Sequence, residues 1–144
     1  MEDDDQMTTL TIEIAAGTIV IELFEDVAPL HVERIVTLAR AGEYDNVGFH
    51  RVIDGFVAQT GDVQFGDVSV GYDTANVGTG DSNLPDLPLE ASQFAFENGV
   101  VGMARAANDI NSANSQFFIT YTRQPGLDFN FTIVGVVVEG MELV

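Results

Sequence analysis

A mainly β domain, a barrel or sandwich capped by a helix, is the fold class that the sequence predicts. Three observations carry it. Short apolar or alternating stretches recur along the chain, separated by turn dipeptides such as Asp54-Gly55 and Asn98-Gly99. Only one stretch, 29–41, changes to helical spacing. No internal repeat or linker interrupts the 144 residues, a length that suits one domain.

The elements follow in order. Residues 1–8 read as an acidic, disordered tail before a domain over 9–144. Leu10, Ile12 and Ile14 alternate with Thr11 and Glu13, the period of a half-buried strand. Ala16-Gly17 breaks that strand, and 18–24 follows as its hairpin partner. Val32, Ile35, Val36 and Ala39 then share a helix face, with Pro29 placed for the first turn and Gly42 for the stop. Strands are expected at 49–53 and 56–59 around Asp54-Gly55, and at 94–96 and 100–103 around Asn98-Gly99. Two more are expected at 115–121 and 132–138. Between them, 61–92 is rich in Gly, Asp, Asn and Ser; a long irregular stretch of this kind is usually functional or mobile.

Composition narrows the function. Hydrophobic residues make up 46%, enough for a packed core. The chain carries 23 acidic residues against five arginines and no lysine, a net charge of −18. That balance speaks against nucleic acid and anionic membrane as partners, since both need a cationic footprint. It is compatible with a salty milieu, where screening relieves self-repulsion. No cysteine is present, which removes disulfides and thiolate chemistry. No stretch approaches the ~20 apolar residues of a membrane span. The acidic start does not read as a signal peptide, so the cytoplasm is expected, or the periplasm if a signal has been removed.

Several chemistries fail on their motifs. Gly78-Thr79-Gly80 lacks the third glycine of a dinucleotide fingerprint, and no phosphate-binding loop occurs. Two histidines, His31 and His50, without cysteine make a zinc site improbable, so no metal is expected. His31 reads as a helix-surface residue. No Gly-x-Ser-x-Gly elbow is found. Asp67, Asp73 and Asp81 do not have calcium-loop spacing and read as solvated loop acids.

One cluster remains. In Phe49-His50-Arg51-Val52-Ile53, alternation puts Phe49, Arg51 and Ile53 on one strand face, with Val57 and Gln59 sharing a face beyond the turn. An arginine among apolar residues is costly to desolvate without a partner. The residues alone leave two readings open, a functional guanidinium and a strand arginine that reaches water.

The stretch from Phe49-His50-Arg51 through Gly55-Phe56, Gln59 and Gly61-Asp62 resembles the signature of the cyclophilin family of peptidyl-prolyl cis-trans isomerases. Gly99-Val100-Val101-Gly102-Met103-Ala104-Arg105 and Ser115-Gln116-Phe117-Phe118-Ile119 are similar to its second conserved part. Leu127-Asp128 and Val134-Gly135 through Glu139-Gly140-Met141 are similar to its closing part, and the overall variant resembles bacterial members.

The resemblance implies a closed eight-stranded antiparallel β-barrel capped by helices, with the binding groove on its outside. It implies catalysis of rotation about X–Pro bonds, without a cofactor, in unfolded protein clients and proline-containing peptides. Arg51 takes the place of the catalytic arginine. Phe56, Val57, Phe118, Leu127 and Phe131 take the places of the proline-pocket walls, and Gln59 that of the side chain gripping the substrate backbone. Ala104, Arg105 and Gln116 take the neighbouring subsite, and His50 a supporting place beside the site. The alternative is a proline-segment binding or chaperone module with little turnover. A monomer is expected.

The chain departs from the family in places. Gly126 stands where Trp or Phe is usual before Leu127, so a cyclosporin-type macrocycle is expected to bind only weakly. Phe131 replaces a polar aromatic, and Val57 is smaller than the usual Met. Relatives continue beyond Met141 into a helix and a final strand, so the C-terminal helix and last strand are expected to be truncated.

Overall fold

The computed structural model describes residues 8–70 and 72–144. Of the expected acidic tail, residues 1–7 lie outside the described residues, and Thr8 already opens the first strand. Seven strands form one antiparallel sheet that curls into a half-barrel. They are β1 (Thr8–Ile14), β2 (Gly17–Leu23), β3 (Arg51–Ile53), β4 (Val57–Thr60), β5 (Val100–Met103), β6 (Phe117–Thr120) and β7 (Ile133–Glu139). Their order across the sheet is β1-β2-β7-β5-β6-β4-β3, which leaves β1 and β3 as its ends. Among the described residues no helix is long and apolar enough to cross a membrane.

Alternation along the strands splits the apolar residues between two clusters. Ile19, Ile21, Val101, Met103, Phe117, Ile119 and Val134 face the main core, where Val32 and Ile35 of the helix α1 (Pro29–Arg40) join them. Their sequence neighbours Val100, Phe118 and Ile133, with Val57 and Phe96, face the other way and form a second cluster. The central strands are therefore apolar on both faces. This is why 100–103 and 117–120 read as continuous apolar runs rather than as alternations.

The helix begins at Pro29 and ends as the sequence expects. Gly42 adopts φ +77, and Gly42 N and Glu43 N donate to Ala39 O and Leu38 O, a Schellman closure. Its amino end has no local cap. Instead the carboxylate of Glu90 accepts from Leu30 N at 3.2 Å and from His31 N at 2.9 Å. His31 is fully buried, which corrects the surface reading. It lies on the helix face of Ile35 and Leu38, and its ring Nδ1 bonds Glu90, which offsets the cost of burial.

Two further expectations change. The stretch 94–96 is irregular rather than a strand. Phe96 N donates to the Asp128 carboxylate at 2.8 Å and Phe96 O accepts from Gln124 N at 2.8 Å, so loop partners satisfy a backbone that a hairpin would have paired. The described residues thus supply seven strands where eight were expected. Beyond β7, residues Met141–Leu143 form a single 3-10 turn against the core.

The long stretch 61–92 is irregular yet tightly bonded. Asp62 is fully buried, and its two oxygens accept from four backbone amides: Gln64, Phe65, Gly78 and Gly80. Asn114 accepts from Ser82 and donates to Leu84 O and Asp86, while Arg34 donates to Pro85 O at 2.7 Å. Asp67 and Asp73 are half-buried; Asp67 accepts from the Ser69 hydroxyl and amide, and Asp73 from the Asn76 side chain and the amides of Asn76 and Ala75, which pulls both carboxyls below their usual range.

Candidate active site

The site grows from one row of cross-strand neighbours. Arg51 of β3 pairs with Gln59 of β4, Gln59 with Phe118 of β6, Phe118 with Gly102 of β5, and Gly102 with Ile133 of β7. Directly paired residues share a sheet face, so a row of five strands aligns these side chains on the outside of the curl. Gly102 is the small member for a reason. A Cβ there would lie 2.7 Å from both the Phe118 and the Phe96 rings. Its absence lets Phe96 stack on Phe118 with centroids 5.6 Å apart.

Over this row lies an open groove of about 260 Å³. Of the residues named from sequence, Arg51, Phe56, Val57, Gln59, Ala104, Arg105, Phe118, Leu127 and Phe131 line it. Phe118 is the floor, and Phe131 stands on it edge to face at 5.8 Å. Gln116 lies next door, in a second cavity of about 480 Å³ that shares Gln59, Ala104 and Arg105 with the first. His50 lines neither, and among the described residues its two buried ring nitrogens have no hydrogen-bond partner. Burial pushes its pKa below the usual histidine range, with Asp62 pulling the other way.

Arg51 is exposed, so its charge keeps its water. Its guanidinium lies 5.6 Å from the Phe56 centroid, and Nη1 donates to Gln59 Oε1 at 3.4 Å. The chain of donors continues. Gln59 Nε2 donates to Gln116 Oε1 at 2.8 Å, and Gln116 Nε2 donates to Gly78 O at 3.1 Å and Gly80 O at 2.9 Å. Because Gly78 N and Gly80 N are held by Asp62, the string runs from a buried carboxylate to the groove's guanidinium. Every amide in it has its orientation set by its two partners.

The second arginine is fixed differently. Arg105 lies 4.3 Å over the Phe131 ring and donates to Asn130 O and Ala106 O. Asp81 and Asp86 also line the second cavity. Burial, then Asp86 and Asp62, push the Asp81 carboxyl up. Sequence reasoning gave no place in the site to Ala107, which lines the groove, nor to Asp62 and Asp86, and it read Asp81, which lines the second cavity, as a solvated loop acid. Asp62 did lie within the first motif, and its neighbourhood of glycines is the signal that could have marked it.

Comparison with known proteins finds relatives along most of the chain. The profile of the family described as cyclophilin type peptidyl-prolyl cis-trans isomerase/CLD matches residues 9–144. A probable peptidyl-prolyl cis-trans isomerase of Brucella suis biovar 1 (strain 1330) is 52% identical over 140 residues, 97% of this chain and 71% of the relative. A peptidyl-prolyl cis-trans isomerase-like 3 of Rattus norvegicus is 36% identical over 138 residues, covering 93% and 78%. The crystal structure of a Cryptosporidium parvum cyclophilin type isomerase, solved in the presence of the dipeptide Ala-Pro, superposes with a TM-score of 0.81 at 28% identity. It covers 94% of this chain and 81% of that one.

Proposed function

The chain belongs to the cyclophilin-type peptidyl-prolyl cis-trans isomerases, and we propose that it acts by holding proline in the groove while Arg51 supports the twisted amide. The isomerase activity follows from the family. The residue roles are the reading that the groove supports best, and the observation carrying them is the row Arg51–Gln59–Phe118 beneath an apolar cavity.

Rotation about a peptide bond meets a barrier of ~18 to 20 kcal/mol, because resonance gives the C–N bond double-bond character. Cis and trans X–Pro differ by only ~0.5 to 1 kcal/mol. The catalyst must therefore favour the twisted amide over both planar forms. In the twisted state the proline nitrogen regains a lone pair, and a guanidinium can donate to it. Arg51 suits this task because it stays charged and offers rigid donors. Phe118, Phe56, Val57, Leu127 and Phe131 hold the proline ring, while Gln59 steadies Arg51 and offers its amide to the substrate backbone. Ala104, Arg105 and Gln116 receive the chain preceding proline, in the second cavity. His50, whose ring lies against Gly78, serves as support. No cofactor enters this scheme.

The partners proposed are proline-containing peptides and unfolded protein clients, and a cyclosporin-type macrocycle that binds weakly for want of an aromatic at Gly126. The curled sheet is proposed as the greater part of an eight-stranded barrel. The seven-residue edge of β1, which among the described residues has no pairing strand on its outer side, is where a further strand would close it.

Replacing Arg51 tests the mechanism. Arg51→Ala lowers kcat/KM on a short X–Pro peptide by roughly 10² to 10³, the scale of losing one preorganised donor. The circular dichroism spectrum stays that of the wild type. A folded variant with unchanged turnover removes Arg51 from the reaction.

A further inference from the structure

Two residues other than glycine adopt positive φ among the described residues, Asn46 at +63° and Phe129 at +66°. Asparagine visits this region at small cost because its short side chain bonds locally. An aromatic residue has no such compensation, and the conformation is strained for it.

The backbone at Phe129 is held there from both sides. Asp128 receives a bidentate pair from Arg123, at 2.9 and 2.7 Å, together with Phe96 N. Asn130 O accepts from Arg105 Nε at 3.3 Å and Nη2 at 3.1 Å, and Asn130 N donates to Leu127 O. The left-handed conformation is thus dictated by the bonds that build this wall of the groove. Glycine would meet it without strain.

Nor does burial account for the ring. Phe129 is 60% exposed and belongs to neither apolar cluster. Its neighbours two residues away on each side, Leu127 and Phe131, both line the groove. An aromatic ring that costs backbone strain and gains little from packing is explained when it is covered in the bound state.

We propose that Phe129 is a specificity-determining residue that contacts an apolar or aromatic side chain flanking the proline of a client. The inference rests on the isomerase reading of the groove, and the test keeps the two apart. Peptides carrying Phe or Gly at each position from three before to three after the X–Pro bond are assayed with wild type, Phe129→Ala and Phe129→Gly. Wild type prefers Phe over Gly at one or more positions by roughly fivefold in kcat/KM, the scale of one aromatic contact. Both variants lose that preference yet turn over the all-Gly peptide like wild type. Phe129→Gly also melts a few degrees higher than Phe129→Ala, because it relieves the strain. A Phe preference that is absent in wild type, or that survives in Phe129→Gly, overturns the inference. Failure of wild type on every peptide overturns the isomerase reading instead.

Discussion

Gln59 of β4 donates to Gln116, the residue just before β6, at 2.8 Å, and this bond decides which end of the Gln59 amide faces Arg51. With Nε2 engaged, Oε1 is left to accept from the guanidinium. The orientation of the proposed catalytic group therefore depends on a residue of the neighbouring cavity that does not line the groove.

Gln116→Leu frees the Gln59 amide to turn and unhooks Gly78 and Gly80. We expect kcat/KM to fall by roughly 10- to 100-fold, the cost of a misplaced group. In a double-mutant cycle, Gln59→Ala adds little once Gln116 is gone. Losses that add in full would show that the two glutamines act separately.

The two histidines set the pH response. Burial pushes both His31 and His50 below their ordinary 6.5, although Glu90 and Asp62 oppose it. The unfolded chain then binds protons that the folded chain refuses, so the stability they contribute is present above 6.5 and lost as pH falls through the depressed values. Between about pH 7.5 and 5.5, where carboxylates stay ionised, the melting temperature falls. His31→Gln melts lower throughout but with a shallower slope. A slope as steep as that of wild type would exclude His31.

Gly126 is exposed, and a Cβ there meets nothing within 4 Å. Gly126→Trp can therefore add an aromatic contact without repacking. Calorimetry should show a cyclosporin-type macrocycle bound roughly tenfold more tightly, about one aromatic pair's worth. Equal or weaker binding would show that this turn lies outside the macrocycle's reach.

The net charge of −18 predicts a salt response. The melting temperature rises from tens of millimolar sodium chloride towards about 1 M, where the Debye length is ~3 Å. Asp81 is a local case. Its carboxyl is pushed up by burial and by Asp86 and Asp62, so its ionised form is disfavoured in the fold at neutral pH and the penalty vanishes below the ordinary 3.8. Asp81→Asn should raise the melting temperature at pH 7, by less at high salt. Thermal melts across one salt series decide both points.

Most of the groove was legible in the sequence because its residues sit in short motifs whose strands pair directly, with Leu127 and Phe131 added from the closing part. Arg51 and Gln59 are eight positions apart and meet across one turn, and Phe118 arrives on the next strand with Gln116 just ahead of it. Helix α1 was legible because proline, glycine and the 3.6 period agreed. His31 was misread because its partner, Glu90, lies 59 residues away in an irregular stretch that no periodicity describes. Residues 94–96 were misread for the same reason. Their backbone is satisfied by Asp128, a side chain, and side chains leave no mark in a strand pattern.

Asp62 has a consequence for engineering. Its carboxylate holds residues 64 and 65 where the chain leaves β4 and residues 78 and 80 where it returns. Both ends of the intervening stretch are thus tied to one anchor. Closing a longer loop costs little more than closing a short one, since the entropy grows only with the logarithm of its length. The carbonyls of Gly78 and Gly80 that receive Gln116 keep their places however long that stretch becomes. A reporter or affinity peptide grafted beyond Val68 would therefore ride on the molecule as a passenger, with the groove on the far side of the anchor undisturbed.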